Sequence, residues 1–164
     1  METISIRAYT PADKDACLAV FDSNHPRYFS AGERLQFSAF LDALPGPYLV
    51  LQDDAGHILA CGGHAVVEES ATAFFCWGMV EQALHRQGHG KRLSLARLDG
   101  IRADPRVRRV RLDTSHLTAG FYEGLGFTVT EVIRDGYWPG LHRCEMQWII
   151  DRAPAEQGAP GESS

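Results

Sequence analysis

Residues 79–93 read Met-Val-Glu-Gln-Ala-Leu-His-Arg-Gln-Gly-His-Gly-Lys-Arg-Leu, and no other stretch restricts the fold as much. An apolar run, residues 74–80, leads in, and a helix-like segment with Leu93, Ala96 and Leu98 leads out. Between them lies a short basic loop with Gly88 and Gly90. A strand that ends in a glycine turn and opens a helix aims backbone N–H groups, and the positive end of the helix dipole, at one point. That point suits a phosphate. Arg86, Lys91 and Arg92 add positive charge. The loop is not a P-loop, because no Gly-Lys-Ser/Thr follows a four-residue gap, and it lacks the three spaced glycines of a dinucleotide fingerprint. A glycine pair alone often does no more than start a helix, so its surroundings carry the weight.

Those surroundings give the order β-α-α-β-β-β-α-β-α-β-β. Residues 4–8 alternate as a strand. Thr10-Pro11-Ala12-Asp13 supplies a capping hydroxyl, a first-turn proline and an acid three residues on, opening a helix that ends near Asn24. Pro26 stops it. Ser30 to Glu33 reads as a capping box, and Phe37, Phe40, Leu41 and Leu44 have the spacing of an amphipathic helix. Residues 48–52 and 57–67 form a hairpin, in which Gly62-Gly63 marks a bulge or a close backbone approach. Residues 72–80 are the next strand, 88–102 a helix, 107–114 a strand and 118–125 a short helix. Two more strands, 128–134 and 143–150, flank a loop at 135–142 rich in turn formers. Residues 151–164 have no apolar period and read as a disordered tail. The expectation is one α/β domain over residues 1–150, with a mixed, mostly antiparallel sheet flanked by helices.

Composition excludes several classes. The chain of 164 residues is 45% hydrophobic, ordinary for one globular domain. No apolar run approaches the roughly 18 residues that span a membrane. The N-terminus has no basic start or long apolar core, so a cytoplasmic protein is expected. A formal net charge of −5 speaks against a general nucleic-acid binder, although Arg102, Arg106, Arg108, Arg109 and Arg111 form a basic run. Cys17, Cys61, Cys76 and Cys144 are scattered and read as buried thiols. The histidines lack metal spacing, so no metal is expected.

A second constellation lies downstream. A strand ending in Asp113-Thr114-Ser115 is followed by a short helix and Phe121-Tyr122-Glu123-Gly124-Leu125-Gly126-Phe127. Phe121, Leu125 and Phe127 are core residues by type, and Tyr122 alone reads as a half-buried phenol with a hydrogen-bonded tip.

Together the two constellations resemble motifs A and B of the GCN5-related N-acetyltransferases, the GNAT superfamily. Motif A is Gln/Arg-x-x-Gly-x-Gly/Ala after a strand ending in Val. Val80, Gly88, Gly90 and Leu93 occupy its places, and His85 stands where Gln or Arg is usual. Motif B is the polar residue, the tyrosine helix and Gly-Phe, with Ser115 where many members have Asn. The element order is also that of the family, and the resemblance covers residues 4–150.

The resemblance implies an acetyl-CoA-dependent N-acetyltransferase that transfers the acetyl group directly to a primary amine, a small molecule being favoured. It places Arg86, Gln87, Gly88, His89, Gly90 and Lys91 on the pyrophosphate, Met79 and Val80 beside the pantetheine, and Ser115 near that arm. Tyr122 would be the general acid at the leaving sulfur. His25, Tyr28 and Phe29 would border the acceptor, as would Trp138 in the last loop; without that role the segment is an inter-helix loop whose Tyr28 and Phe29 plug the core. The base stays open among His64, Glu68, Glu69 and Asp113, with no dedicated base as a further option. A homodimer is a common family state. Two other readings stand beside this one: an acyl-CoA-binding regulatory module with little catalysis, and an acetyltransferase acting on protein or RNA.

Overall fold

The structure is a computed structural model and describes residues 3–25 and 31–150. The expected acceptor residues Tyr28 and Phe29, the capping Ser30 and the expected tail at 151–164 lie outside the described residues.

Strand β1, Ser5–Ala8, is followed by a 3-10 turn, Pro11–Asp13, and helix α1, Lys14–Asn24. The start of α1 is held by Asp13. Its carboxylate accepts from the Thr10 N–H at 2.8 Å and from two Arg7 nitrogens at 2.8 Å each. The Arg7 hydrogen bonds hold the Asp13 carboxyl down at about 2. Helix α2 spans Ala31–Asp42. Strands β2, Tyr48–Gln52, and β3, Ile58–Val67, make the expected hairpin, and a 3-10 turn at Glu68–Ser70 leads to β4, Thr72–Val80. Helix α3, His89–Arg102, strand β5, Arg109–Ser115, helix α4, Ala119–Gly124, and strands β6, Thr128–Trp138, and β7, Leu141–Ile149, complete the chain.

The strands form one seven-stranded sheet in the order β1-β2-β3-β4-β5-β7-β6. All neighbours are antiparallel except β4 and β5. One face is covered by α1 and α2, where Phe21, Phe37, Tyr48 and Cys61 pack with Trp77. The other is covered by α3 and α4, where Leu98, Ile101, Val110, Leu112, Phe127 and Met146 form a second core. Each fully buried side chain of this kind contributes about 1.5–3 kcal/mol. Among the described residues no helix is long and apolar enough to cross a membrane.

The double glycine does mark a bulge. The β3–β4 register slips between Cys61 and Gly63, and opposite the slip Trp77 has φ +44.

The expected loop at 135–142 is corrected. Strand β6 runs on to Trp138, which pairs with Leu141. The turn formers there serve a kink and a tight turn instead of an open loop. The register slips between Ile133 and Trp138, Asp135 has φ +55, and its N–H donates to His142 Nδ1 at 2.9 Å. The Asp135 carboxylate takes the Gly140 N–H at 2.8 Å, closing the hairpin.

The basic run does not make a single free patch. Arg106 is gripped by Asp104 at 2.7 Å, and Arg102 lies over the Trp148 ring at 4.6 Å.

Candidate active site

The parallel pair β4–β5 is in register only over Thr72↔Arg109, Ala73↔Val110 and Phe74↔Arg111. Beyond Phe74 the two strands diverge, and the bulge at Trp77 turns β4 further out of the ladder. The result is a splay with unpaired strand edges on both sides. Met79 faces Cys61 on β3, and Glu81 N–H donates to Leu59 C=O at 2.9 Å on the same side. By alternation along an antiparallel ladder, the backbone groups of Val80 point away from β3. The side chain of Met79 is buried in the α1–α2 core.

At the open end of β4 stands the glycine loop. Gly88 caps α3 with φ +86, and Arg86 takes φ +68. The first helical hydrogen bond runs from Arg92 N–H to Gly88 C=O at 3.0 Å. The N–H groups of His89, Gly90 and Lys91 are therefore left over by the helix and form an anion-seeking terminus. A Cβ on Gly90 would stand 3.3 Å from Val80 and 3.4 Å from Phe121, so glycine lets the loop approach both β4 and α4 closely. Arg86, Gln87 and Lys91 are exposed beside it. Arg92 is engaged elsewhere, donating to Ile4 C=O at 2.6 Å. The unusual His85 donates through Nε2 to Val80 C=O at 2.9 Å, tying the loop to the strand end. This cradle fits a pyrophosphate.

Helix α4 faces the loop across the splay. It ends in a Schellman turn: Phe127 N–H donates to Tyr122 C=O at 3.1 Å and Gly126 N–H to Glu123 C=O at 3.0 Å, with Gly126 at φ +106. That turn is the physical reason for the Gly-Phe signature. It fixes Tyr122, whose ring packs on Phe127 at 5.8 Å and Phe75 at 6.5 Å. Among the described residues the Tyr122 hydroxyl makes no hydrogen bond, unlike a satisfied core phenol.

The base candidates separate cleanly. His64 points to the α3 face of β3 and lines a cavity of about 340 Å³ with Arg97 and Asp104. That cavity lies on the far side of β4 from the splay. Burial and the Arg97 charge push the His64 imidazole below its usual pKa. Glu68 and Glu69 sit in the exposed turn before β4, beyond the paired end of the splay, and Glu68 lies 3.7 Å from Arg106. Asp113 alone of the four stands on the splayed part of β5. It accepts from the Tyr137 hydroxyl at 2.6 Å. Burial and this carboxylate push the Tyr137 phenol far above its ordinary pKa.

Ser115 is buried at the end of β5, and its hydroxyl lies 3.4 Å from that of Thr118, inside the strand–helix turn. His25 is exposed and closes α1, its N–H donating to Asp22 C=O at 3.2 Å. Trp138 sits at the tip of the β6–β7 hairpin beside Tyr137. Several contributors escaped sequence reading. Asn24 Nδ2 donates to Val80 C=O at 2.9 Å, and Ser23 Oγ accepts from Gln82 N–H at 3.0 Å, joining the last turn of α1 to the loop. Tyr48 and Arg97 reach the bulge from opposite faces. A buried arginine on an apolar helix face was the available signal for the last.

No protein-family model matches the sequence, and no curated protein matches it. Solved structures do. The ribosomal-protein-S18-alanine N-acetyltransferase from Escherichia coli superposes with a TM-score of 0.77 at 21% identity, covering 95% of this chain and 98% of that one. An aminoglycoside 6′-N-acetyltransferase complexed with coenzyme A gives 0.74 at 14%, covering 92% and 99%. A GCN5-related N-acetyltransferase from Kribbella flavida gives 0.73 at 15%, covering 90% and 98%. The fold is that of the GCN5-related N-acetyltransferases.

Proposed function

We propose that the chain is an acetyl-CoA-dependent N-acetyltransferase that carries the acetyl group directly to a primary amine. The observation that carries this reading is the splay itself: a sheet opened between β4 and β5, with a glycine loop and helix terminus at one end and the Tyr122 helix packed against that loop. A binding module without chemistry would need the cradle but not the phenol.

In this reading Gly88, Gly90 and the N–H groups of residues 89–91 hold the pyrophosphate, with Arg86 and Lys91 adding charge from the surface. Gln87 and His89 border it. The free edge of β4 through Met79 and Val80 lies along the pantetheine. Both Asn24 and His85 already donate to the Val80 carbonyl, which leaves the Val80 N–H as the free group of that residue. Acetyl-CoA supplies the activated acetyl thioester. Tyr122 gives its proton to the sulfur as the carbon–sulfur bond breaks, where negative charge develops. In this reading the amine loses a proton on the other side, and Asp113 receives it. Ser115 serves by shaping the turn that carries α4. Trp138 and Tyr137 border the acceptor. Structural neighbours named for a ribosomal-protein alanine and for an aminoglycoside indicate that this fold admits both macromolecular and small amines.

The test is calorimetric titration with acetyl-CoA, with dephospho-CoA and acetate as comparisons, followed by thiol release against an amine panel. Saturable binding plus amine-dependent thiol release is expected. Binding without thiol release from any amine would replace this reading with the regulatory module, and no binding at millimolar acetyl-CoA would remove both.

A further inference from the structure

On α3, Leu93, Leu98 and Ile101 face the sheet, and Arg97 faces it with them. Its side chain is 2% exposed. A buried guanidinium normally needs a carboxylate to offset its desolvation. Among the described residues Arg97 forms no ion pair, and its Nε has no hydrogen-bond partner. What it has is backbone. One terminal nitrogen donates to Gly63 C=O at 2.7 Å and to Cys76 C=O at 3.3 Å. The guanidinium carbon lies 3.7 Å from the centre of the Phe75 ring, and Phe75 packs edge-on against Tyr122.

The room for this group comes from glycines. A Cβ on Gly62 would stand 2.9 Å from the Arg97 guanidinium carbon, and one on Gly78 would stand 2.5 Å from a terminal nitrogen. At both positions the three nearest atoms a Cβ would meet all belong to Arg97. From the opposite face of the sheet, the Tyr48 hydroxyl donates to Trp77 C=O at 2.8 Å. Consecutive carbonyls of the bulge, at residues 76 and 77, are thus taken by side chains from opposite faces. A bulge turns carbonyls out of the ladder, and a buried carbonyl without a donor favours a return to regular pairing.

We propose that Arg97 is a positioning residue that holds the β4 bulge, and so the splay, open, with Gly62 and Gly78 kept small to admit it. Its effect on turnover rests on the acyl-transfer reading above, whereas the clamp is a property of the strand alone.

The experiment compares wild type with Arg97→Met, Arg97→Lys, Gly62→Ala, Arg97→Ala and the Gly62→Ala/Arg97→Ala pair. It measures thermal melting, amide hydrogen exchange, calorimetric CoA binding and thiol release. Arg97→Met should speed exchange of the amides of residues 76–79 about tenfold or more relative to β2 and β7. CoA affinity should fall about tenfold, because the pantetheine is laid along the β4 edge that the bulge opens, and kcat should fall about tenfold as well. Arg97→Lys should recover part of both losses. Gly62→Ala should disturb exchange in wild type but add nothing to Arg97→Ala, a coupling that a general packing defect does not give. Unchanged exchange at residues 76–79, or a Gly62→Ala effect equal in both backgrounds, would overturn the proposal. If wild type releases no thiol with any amine, the acyl-transfer reading falls, and exchange and coupling still judge the clamp. Should Arg97→Met fail to fold, Arg97→Lys and Gly62→Ala carry the same exchange test.

Discussion

The two edges of the splay are made in different ways. The β4 edge is made of backbone: a bulge, a left-handed Gly88, a crowded Gly90 and a helix terminus. The β5 edge is made of side chains. Asp113 meets Tyr137 from β6, and Arg111 and Arg143 flank Glu145 at 3.8 and 3.7 Å. Backbone geometry demands glycine at set places, so the first edge tolerates little change. Side chains that meet across three strands can be exchanged without altering the fold. One edge is suited to a constant group and the other to a variable one.

The sharpest way to break that comparison is Tyr122→Phe, which keeps the ring contacts and removes the proton. Turnover is expected to drop about 100-fold with acetyl-CoA affinity unchanged. Full turnover in a stopped thiol-release assay would leave the tyrosine a packing residue. Next, Gly88→Val puts a β-branched residue at φ +86. Left-handed backbone there costs about 1–2 kcal/mol, and acetyl-CoA should bind about tenfold more weakly by calorimetry. The acceptor KM should not move. On the other edge, Trp138→Ala and Tyr137→Phe should raise the acceptor KM about fivefold while leaving acetyl-CoA untouched. If they changed cofactor affinity instead, the division between edges would be wrong.

The smallest effect on turnover belongs outside both edges, at Asp13→Asn. The folded carboxyl sits at about 2 against an ordinary 3.8, so its stabilisation is complete above pH 3.8 and disappears as pH falls through about 2. That shift corresponds to about 2 kcal/mol. Denaturant melts at pH 7 should show this loss in the variant, and melts near pH 2 should show wild type and variant converging, with neutral-pH turnover preserved.

The same division explains what could be read in advance. Glycine spacing and apolar periodicity reveal the glycine loop, the order of elements along the chain and the tyrosine helix, because each follows from neighbours along the chain. Where Asp113 lies relative to the other three candidate bases can be seen only when the register of β4 and β5 is known, since nothing along the chain says which of them stands on the splayed part. Residues 135–142 look like a loop because a bulged hairpin uses the same turn formers. Asn24 reaches Val80 across 56 positions, a contact no local pattern signals.

The short register between β4 and β5 has a cost beyond the site. An unpaired strand edge is a template for foreign strands, and proteins usually cover, charge or twist such edges away. Here two of them face each other inside one domain. A variant that zipped the strands together past Phe74 would satisfy more backbone groups and resist heat better, yet it would have nowhere to lay an extended ligand. Selection for thermostability alone therefore works against this protein, and stabilising substitutions belong on β1, away from the gap.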